Sequence, residues 1–489
     1  MKRHIYLLFA LLMCTFMACQ KEVIDVRDFG RVTIDSISPG IGPAGTYIVV
    51  HGHNFTYLKA DAKVHLNNAE VHIVTMSLDS MLLQIPQGAM TGKLEFNFNR
   101  KNQTGGYNYS GQIDSAATGP VFTVDASAIP KPMVMEVQPM HARVGGEITI
   151  NGYNFKSGSC KIFFGDAEGT ITEISNTQVK VKVPKITPDT IPMRVEQGAY
   201  VVPAGQFIVD ETPTGVKEIF WASWGKVYKA VLDENGNPVM TVIYDESDNI
   251  GVYAAGLTVD KKNGRVYWLD INKVYYGSMD GSTTPTLVHT FPEAVMLSDI
   301  AFDSQDRLYV TAADLTWSGH NFIFRVNRDG TGVTELYNLA DMLPVGIKID
   351  ESRGKLYWTE QTYMGTYEGS INGQAAQAPK VLFDTNDGIG APTNLALDDT
   401  KIYIIDGGNN ACFAGARDGS GTLEKLPVPA EFMGGVGDLE IDTGNQYLYW
   451  IVYDYTVNHG TLFRCKTDGT GLQRVIENVP EAYHLSIIL

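Results

Sequence analysis

Apolar and polar residues alternate with period two through most of this chain, in short runs bounded by Gly, Asn, Asp and Pro. That is the pattern of half-buried strands joined by tight turns. After residue 215 the runs acquire a longer repeat, in which an apolar strand ends in Asp, a turn follows and an aromatic strand returns. It reads AGLTVDKKNGRVYWLD at 255–270, SDIAFDSQDRLYVTA at 298–312 and GIKIDESRGKLYWTE at 346–360, then NLALDDTKIYIID at 394–406 and GDLEIDTGNQYLYWIV at 437–452. The strand-ending aspartates Asp260, Asp303, Asp350, Asp398 and Asp442 lie 43, 47, 48 and 44 residues apart. A period in the forties with several short strands per unit predicts a β-propeller with one blade per repeat.

Each blade needs four strands. The second reads as Ala255–Asp260, Arg265–Asp270, Lys273–Met279 and Pro285–His289, and later blades start near Leu297, Val345, Thr393 and Val436. The segment after Pro213 supplies only three strands, Glu218–Ser223, Lys226–Leu232 and Pro238–Tyr244. The missing inner strand has a donor in residues 484–489, HLSIIL, so the last strand closes a six-bladed ring and removes its open edges.

A second repeat precedes the ring. Residues 37–55, ISPGIGPAGTYIVVHGHNF, match residues 137–155, VQPMHARVGGEITINGYNF, with Pro39/Pro139, Gly45/Gly145, Gly52/Gly152, Asn54/Asn154 and Phe55/Phe155 each offset by 100. An alternating strand (63–66; 161–164) and a strand closed by Pro (81–86; 179–184) follow in both copies. This spacing predicts two small β-sandwiches.

These residues resemble the IPT/TIG family of immunoglobulin-like domains, which start S-P-x-x-G-P-x-G-T and turn at G-x-N-F. The resemblance makes the Gly and Asn positions turn geometry without chemistry. The Asp-turn-Tyr-Trp pattern of 215–489 resembles YWTD propellers of the low-density-lipoprotein-receptor type, and more loosely NHL-like propellers. It implies that Trp268, Trp358, Trp450 and the strand-ending aspartates are scaffold. The expected chain is therefore all-β: tandem immunoglobulin-like sandwiches at 31–125 and 131–210, followed by a six-bladed propeller at 215–489 closed by the C-terminal strand. A polar, Gly-rich stretch at 100–119, carrying Tyr107 and Tyr109, reads as a hairpin tip or a contact loop.

Lys2 and Arg3 precede an apolar run too short to span a bilayer comfortably, which ends in Phe16-Met17-Ala18-Cys19. This resembles a bacterial lipobox, implying a signal peptide over 1–18, lipidation of Cys19 and a linker over 19–30. An uncleaved anchor is the alternative. The start after Cys19 also resembles the export signal of Bacteroidetes surface lipoproteins, which implies an outer-membrane, surface-exposed location. The chain carries a net charge of −17, and −19 once Lys2 and Arg3 are removed. With no basic stripe, this excludes nucleic acid and leaves the lipid as the membrane contact. Cys160, Cys412 and Cys465 are too widely spaced for a disulfide framework or a zinc site, and read as buried apolar residues.

Propeller ligands bind at the loops between strands two and three and at the links between blades. There the sequence places Trp224, Trp317, His320, Tyr363, Asn409, Asn410, Asp454, Tyr455, Asn458 and His459, with Tyr253 and Tyr483 on the links. Flat aromatic faces flanked by Asn and Asp suit sugars, which offer C–H groups on one face and hydroxyls at the rim. Trp317 stands out as a lid or a ligand platform. His320 and His459 are catalytic candidates on this face, with Asp314 and Asp454 to orient them or join them on a metal, and no HxxE, Asp-box or nucleophile motif accompanies them. Asp384, Asn386 and Asp387 lack a full calcium loop. The expectation is a monomeric, non-catalytic carbohydrate binder without cofactor or metal, which serves an outer-membrane importer complex or another surface protein. A protein-binding adhesin is the alternative, and a propeller lyase or hydrolase the third reading.

Overall fold

A computed structural model describes residues 30–488 other than 57, 100–113, 214, 249–250, 252–253, 317–318, 481 and 483. Cys19, Tyr107, Tyr109, Tyr253, Trp317 and Tyr483 lie outside the described residues. Among those described, strands and single 3-10 turns make up the regular structure, and no helix is long and apolar enough to cross a membrane. The chain divides into two compact units, with the break between Val209 and Asp210.

The first unit holds two sandwiches. In the first, Thr33–Ser38, Tyr47–His53, Ser80–Gln84 and Ala69–Met76 form one layer. Ala62–Leu66, Gly92–Asn99 and Asp114–Val124 form the other. In the second, Met133–Gln138, Glu147–Tyr153, Gln178–Lys182 and Thr170–Ile174 pack against a sheet built on Cys160–Phe164, Thr190–Gln197 and Tyr200–Val209. Period-two alternation buries Ile48, Val50, Val64, Leu83 and Phe96 in one core, and Ile148, Ile150, Ile162, Val179 and Val181 in the other.

The repeated G-x-N-F turns behave as turn geometry demands. Asn54 and Asn154 have φ of 62° and 65°, and a Cβ at Gly52 or Gly152 would strike the carbonyl of Thr33 or Met133. Asn154 does more than turn. It is fully buried, its Oδ1 accepts the Tyr47 N–H (2.7 Å), and its Nδ2 donates to the Tyr47 carbonyl (2.8 Å) and the Lys131 carbonyl (3.1 Å). The Tyr47 and Tyr153 rings meet at 4.4 Å, and Asn176 donates to the Gly45 carbonyl. The second sandwich thus holds the first through a turn residue.

The second unit is six four-stranded sheets. Their inner strands are Ala254–Asp260, Val295–Phe302, Pro344–Asp350, Pro392–Leu397, Val436–Asp442 and His484–Ile488, and each touches the next in a closed ring. His484–Ile488 pairs antiparallel with Glu218–Ser223, Leu485 facing Trp221, so the first blade is completed by the last strand as its missing edge required. Trp221, Trp268, Trp358 and Trp450 fill the wedges between sheets, with Val310 and Ile404 in the degenerate blades. Thr311 accepts the Asp299 N–H and donates to the Val345 carbonyl, and Thr359 ties Gly346 to Thr393 in the same way. The strand-ending aspartates cap their turns, as when Asp442 takes both the N–H and the side-chain amide of Asn445. Two of them also anchor a neighbour: Asp260 pairs with Arg328 (2.9 Å) and Asp350 with Arg417 (2.6 Å).

One expected element is curtailed. The fourth strand of blade five is only Glu424–Lys425, because Pro427 and Pro429 follow and bring no N–H to the ladder.

Candidate functional site

Antiparallel strands put the strand two-to-three loops and the blade-to-blade links at one end of the ring, called here the loop face. The turns inside each blade occupy the other end. There a repeated Asp-Gly-Ser/Thr turn recurs at Asp280, Asp329, Asp418 and Asp468, each carboxylate accepting the N–H two residues on. It is polar, and of the described loop residues at that end only Val333 is a large exposed apolar side chain.

The loop face differs. Trp224, Tyr363 and Tyr455 are 54%, 56% and 72% exposed, one on each of blades one, four and six. Ile271, Leu315 and Val457 are exposed beside them, so five of six strand two-to-three loops present a large apolar side chain. These exposed side chains share one end of the scaffold and are the candidates there for contact with a ligand or partner.

The polar residues placed here by sequence are mostly engaged in their own turns. Asn410 and Asn458 have φ of 46° and 59°, the left-handed position before strand three that Gly225 and Met364 fill in other blades. Asn409 donates to Asp406 and to the Gly388 carbonyl. Asn458 accepts from the Tyr453 hydroxyl. Asp454 accepts the N–H and hydroxyl of Thr456, and the hydroxyl of Thr456 above all lowers its pKa. Asp314 holds Thr316 in the same manner. His320 Nδ1 meets Asn338 at 3.3 Å, and His459 pairs across the ladder with Asp454. These contacts engage most of the polar side chains locally, whereas Trp224, Tyr363 and Tyr455 are broadly exposed. Asp384 and Asp387 form a capping box around a 3-10 turn. Among the described residues no group of three His, Cys, Asp or Glu is arranged to hold a metal.

A second cluster escaped sequence reasoning. The residue before the inward apolar side chain of each inner strand is Gly256, Asp299, Gly346, Asn394, Asp438 or His484, and these positions meet around the ring's axis. Asp299 accepts the Ile347 N–H of the next blade (2.9 Å) and lies 3.4 Å from the Asn394 amide. Asp438 accepts the Leu485 N–H of the closing strand (3.0 Å). Lys348 reaches across to Glu440 (3.0 Å) and Asp438 (4.0 Å). Burial pushes the Asp438 carboxyl well above its usual range; Lys348 partly offsets this, while Asp299 and Glu440 add to it. Burial also works against charge on Lys348, yet Glu440, Asp438 and Asp299 together hold it protonated above its ordinary value. His484 lies 3.9 Å from Asp438, its Nδ1 makes no hydrogen bond among the described residues, and burial lowers its pKa. The signal was present in the strings SDIAF, NLALD and GDLEI, where a polar residue interrupts a buried strand at a fixed repeat position. What the cluster can do chemically is hold the inner strands and the closing strand together.

Among the described residues, Cys160, Cys412 and Cys465 are free and buried. Burial raises the Cys160 thiol to about 11, Cys465 to about 12 and Cys412 well above its usual value.

Residues 32–113 and 132–209 match the IPT/TIG domain model, which accounts for both sandwiches. Protein cueball of Drosophila yakuba is 28% identical over 159 residues, covering 31% of this chain and 23% of that protein. A cyclomaltodextrin glucanotransferase of Thermoanaerobacterium thermosulfurigenes is 33% identical over 108 residues, 19% of this chain and 15% of the enzyme. The chain thus spans less than a quarter of the length of either. Among solved structures, the nidogen/laminin complex aligns with a TM-score of 0.46 and 20% identity, covering 56% of this chain and 98% of the matched one.

Proposed function

We propose that this protein is a non-catalytic recognition module, anchored outside the cell through a lipid on Cys19, whose propeller loop face takes an oligosaccharide. The observation that carries the reading is the exposure of Trp224, Tyr363 and Tyr455 on three loops of one face. Each ring offers a flat apolar surface for sugar C–H groups. Weak contacts suffice, because several aromatic platforms on one disc bind a repeating chain multivalently. Delivery of the captured glycan to an outer-membrane importer belongs to the same reading.

The test is a glycan-array screen of the mature chain, with Trp224→Ala and Tyr363→Ala alongside. Hits that both variants lose, at unchanged melting temperature, support the reading. A blank array with folded protein removes it. Exposed Ile271, Leu315 and Val457 favour a second reading, a protein partner at the same face, since aliphatic side chains add little to sugar recognition but much to protein interfaces.

A further inference from the structure

The blade-to-blade links carry a pattern of their own. All five links described from blade one to blade six present an exposed carboxylate: Glu246, Glu293, Asp341, Asp387 and Glu431 in turn. These alternate around the face with the strand two-to-three loops that bear Trp224, Ile271, Leu315, Tyr363 and Tyr455. Cations are scarce on these loops and links, with Lys226 and Lys273 at strand ends of the first two blades. The opposite end mixes its signs, Lys261, Lys262 and Arg353 lying among its acids. The described links thus set a series of exposed carboxylates between the apolar platforms, with Lys226 and Lys273 as the nearby cations.

From this alternation we infer that the loop face selects its ligand by charge: it takes an uncharged sugar chain, binds an amine-bearing chain more tightly, and excludes chains bearing uronate or sulfate. The inference rests on the carbohydrate reading of the face and names the ligand class within it. Asp341 and Asp387 stand on the links before and after blade four, whose loop carries Tyr363, and Glu431 and Asp454 stand on the link and loop of blade six, which carries Tyr455. A polyanion at these rings meets carboxylates of its own sign, and the repulsions add along a repeating chain. Complementary charge acts chiefly through specificity and on-rate, so the series rejects polyanions without needing to add affinity for neutral sugars. No carboxylate in it is asked to bind a metal or to move a proton.

The experiment is the array of neutral, amine-bearing, uronate-bearing and sulfated chains, run on the mature protein at about 20 mM and about 500 mM salt. A triple variant, Glu293→Gln/Asp387→Asn/Glu431→Gln, is run in parallel, together with Tyr363→Ala. The wild type is expected to bind neutral and amine-bearing chains only, the amine-bearing signal falling about tenfold at high salt while the neutral signal holds. The triple variant is expected to admit uronate chains and to lose the salt dependence, with neutral binding retained. A uronate or sulfated chain bound by the wild type at low salt and lost in Tyr363→Ala overturns the charge selection while leaving the carbohydrate reading intact. A triple variant that still rejects every polyanion also overturns it. A blank wild-type array overturns both.

Discussion

Lys348 gives the sharpest test of how the ring holds together. Its ammonium lies 3.0 Å from Glu440 and 4.0 Å from Asp438, contributed by a blade two removed from its own, and its side chain is only 22% exposed. Replacing it with Met keeps the volume and removes the charge, which strands two carboxylates beside Asp299. Breaking one side of a buried pair costs about 3–5 kcal/mol, and the residual exposure places Lys348→Met near the lower end, at about 3 kcal/mol. For a domain of this size that lowers the melting temperature by about 6–10 °C. All six tryptophans of the chain fall within residues 215–489 of the sequence, so tryptophan fluorescence reports unfolding of that unit in the intact chain. The double variant Lys348→Met/Glu440→Gln removes charge from both sides and is expected to regain about half the loss, a coupling a double-mutant cycle measures directly. The reasoning fails if the single variant loses less than about 1 kcal/mol, or if the double variant melts no higher than the single.

Other outcomes follow from the same contacts. His484 has its pKa depressed by burial below the ordinary 6.5, so the stability it contributes is complete above that value and drains as pH falls toward the depressed one; His484→Asn should flatten the fall in melting temperature below pH 6.5. Asp438 has the opposite sign, its raised pKa favouring the folded state on acidification, so Asp438→Asn should steepen the same fall. Ile271, a β-branched residue at φ 51°, should gain about 1 kcal/mol on replacement by Gly, read by thermal melting, and lose ligand signal if its exposure serves the face. Asn154→Ala removes three hydrogen bonds to Tyr47 and Lys131 and should loosen the first sandwich from the second, seen as broadened small-angle scattering of residues 30–489 and faster proteolysis between the sandwiches.

The repeats made the architecture legible. Spacing of Asp260 to Asp442 set the blades, and the segment of only three strands after Pro213 pointed to residues 484–489 as the source of the closing strand, where His484–Ile488 pairs. Turn chemistry was legible too, since Asn54 and Asn154 sit at positive φ. What sequence could not show was the use to which turn residues are put. Nothing in G-x-N-F distinguishes Asn54 from Asn154, yet only the buried Asn154 grips the backbone of the preceding sandwich. The loop-face amides present the converse case. Asn409, Asn410 and Asn458 looked like ligand donors because Asn is polar, and their positions answer to backbone geometry and local hydrogen bonds. The axial charges were hidden by distance: Lys348 and Glu440 stand in different repeats, and only closure of the ring makes them neighbours.

The closing strand also decides when this molecule becomes finished during folding. Five blades are assembled from strands adjacent in sequence, whereas the pairing of His484 with Ala222 joins the two extremes of the propeller. Closing so long a segment adds only a slowly growing entropy, but it must be met before any contact along the seam forms, which makes it the late step of a high-contact-order fold. Until then Glu218–Ser223 offers a bare inner edge with Trp221 behind it, a template for pairing with another chain. An intermediate one strand short is therefore the species most prone to aggregate, and the rate at which the five residues His484–Ile488 find their place sets how long the chain spends in that form.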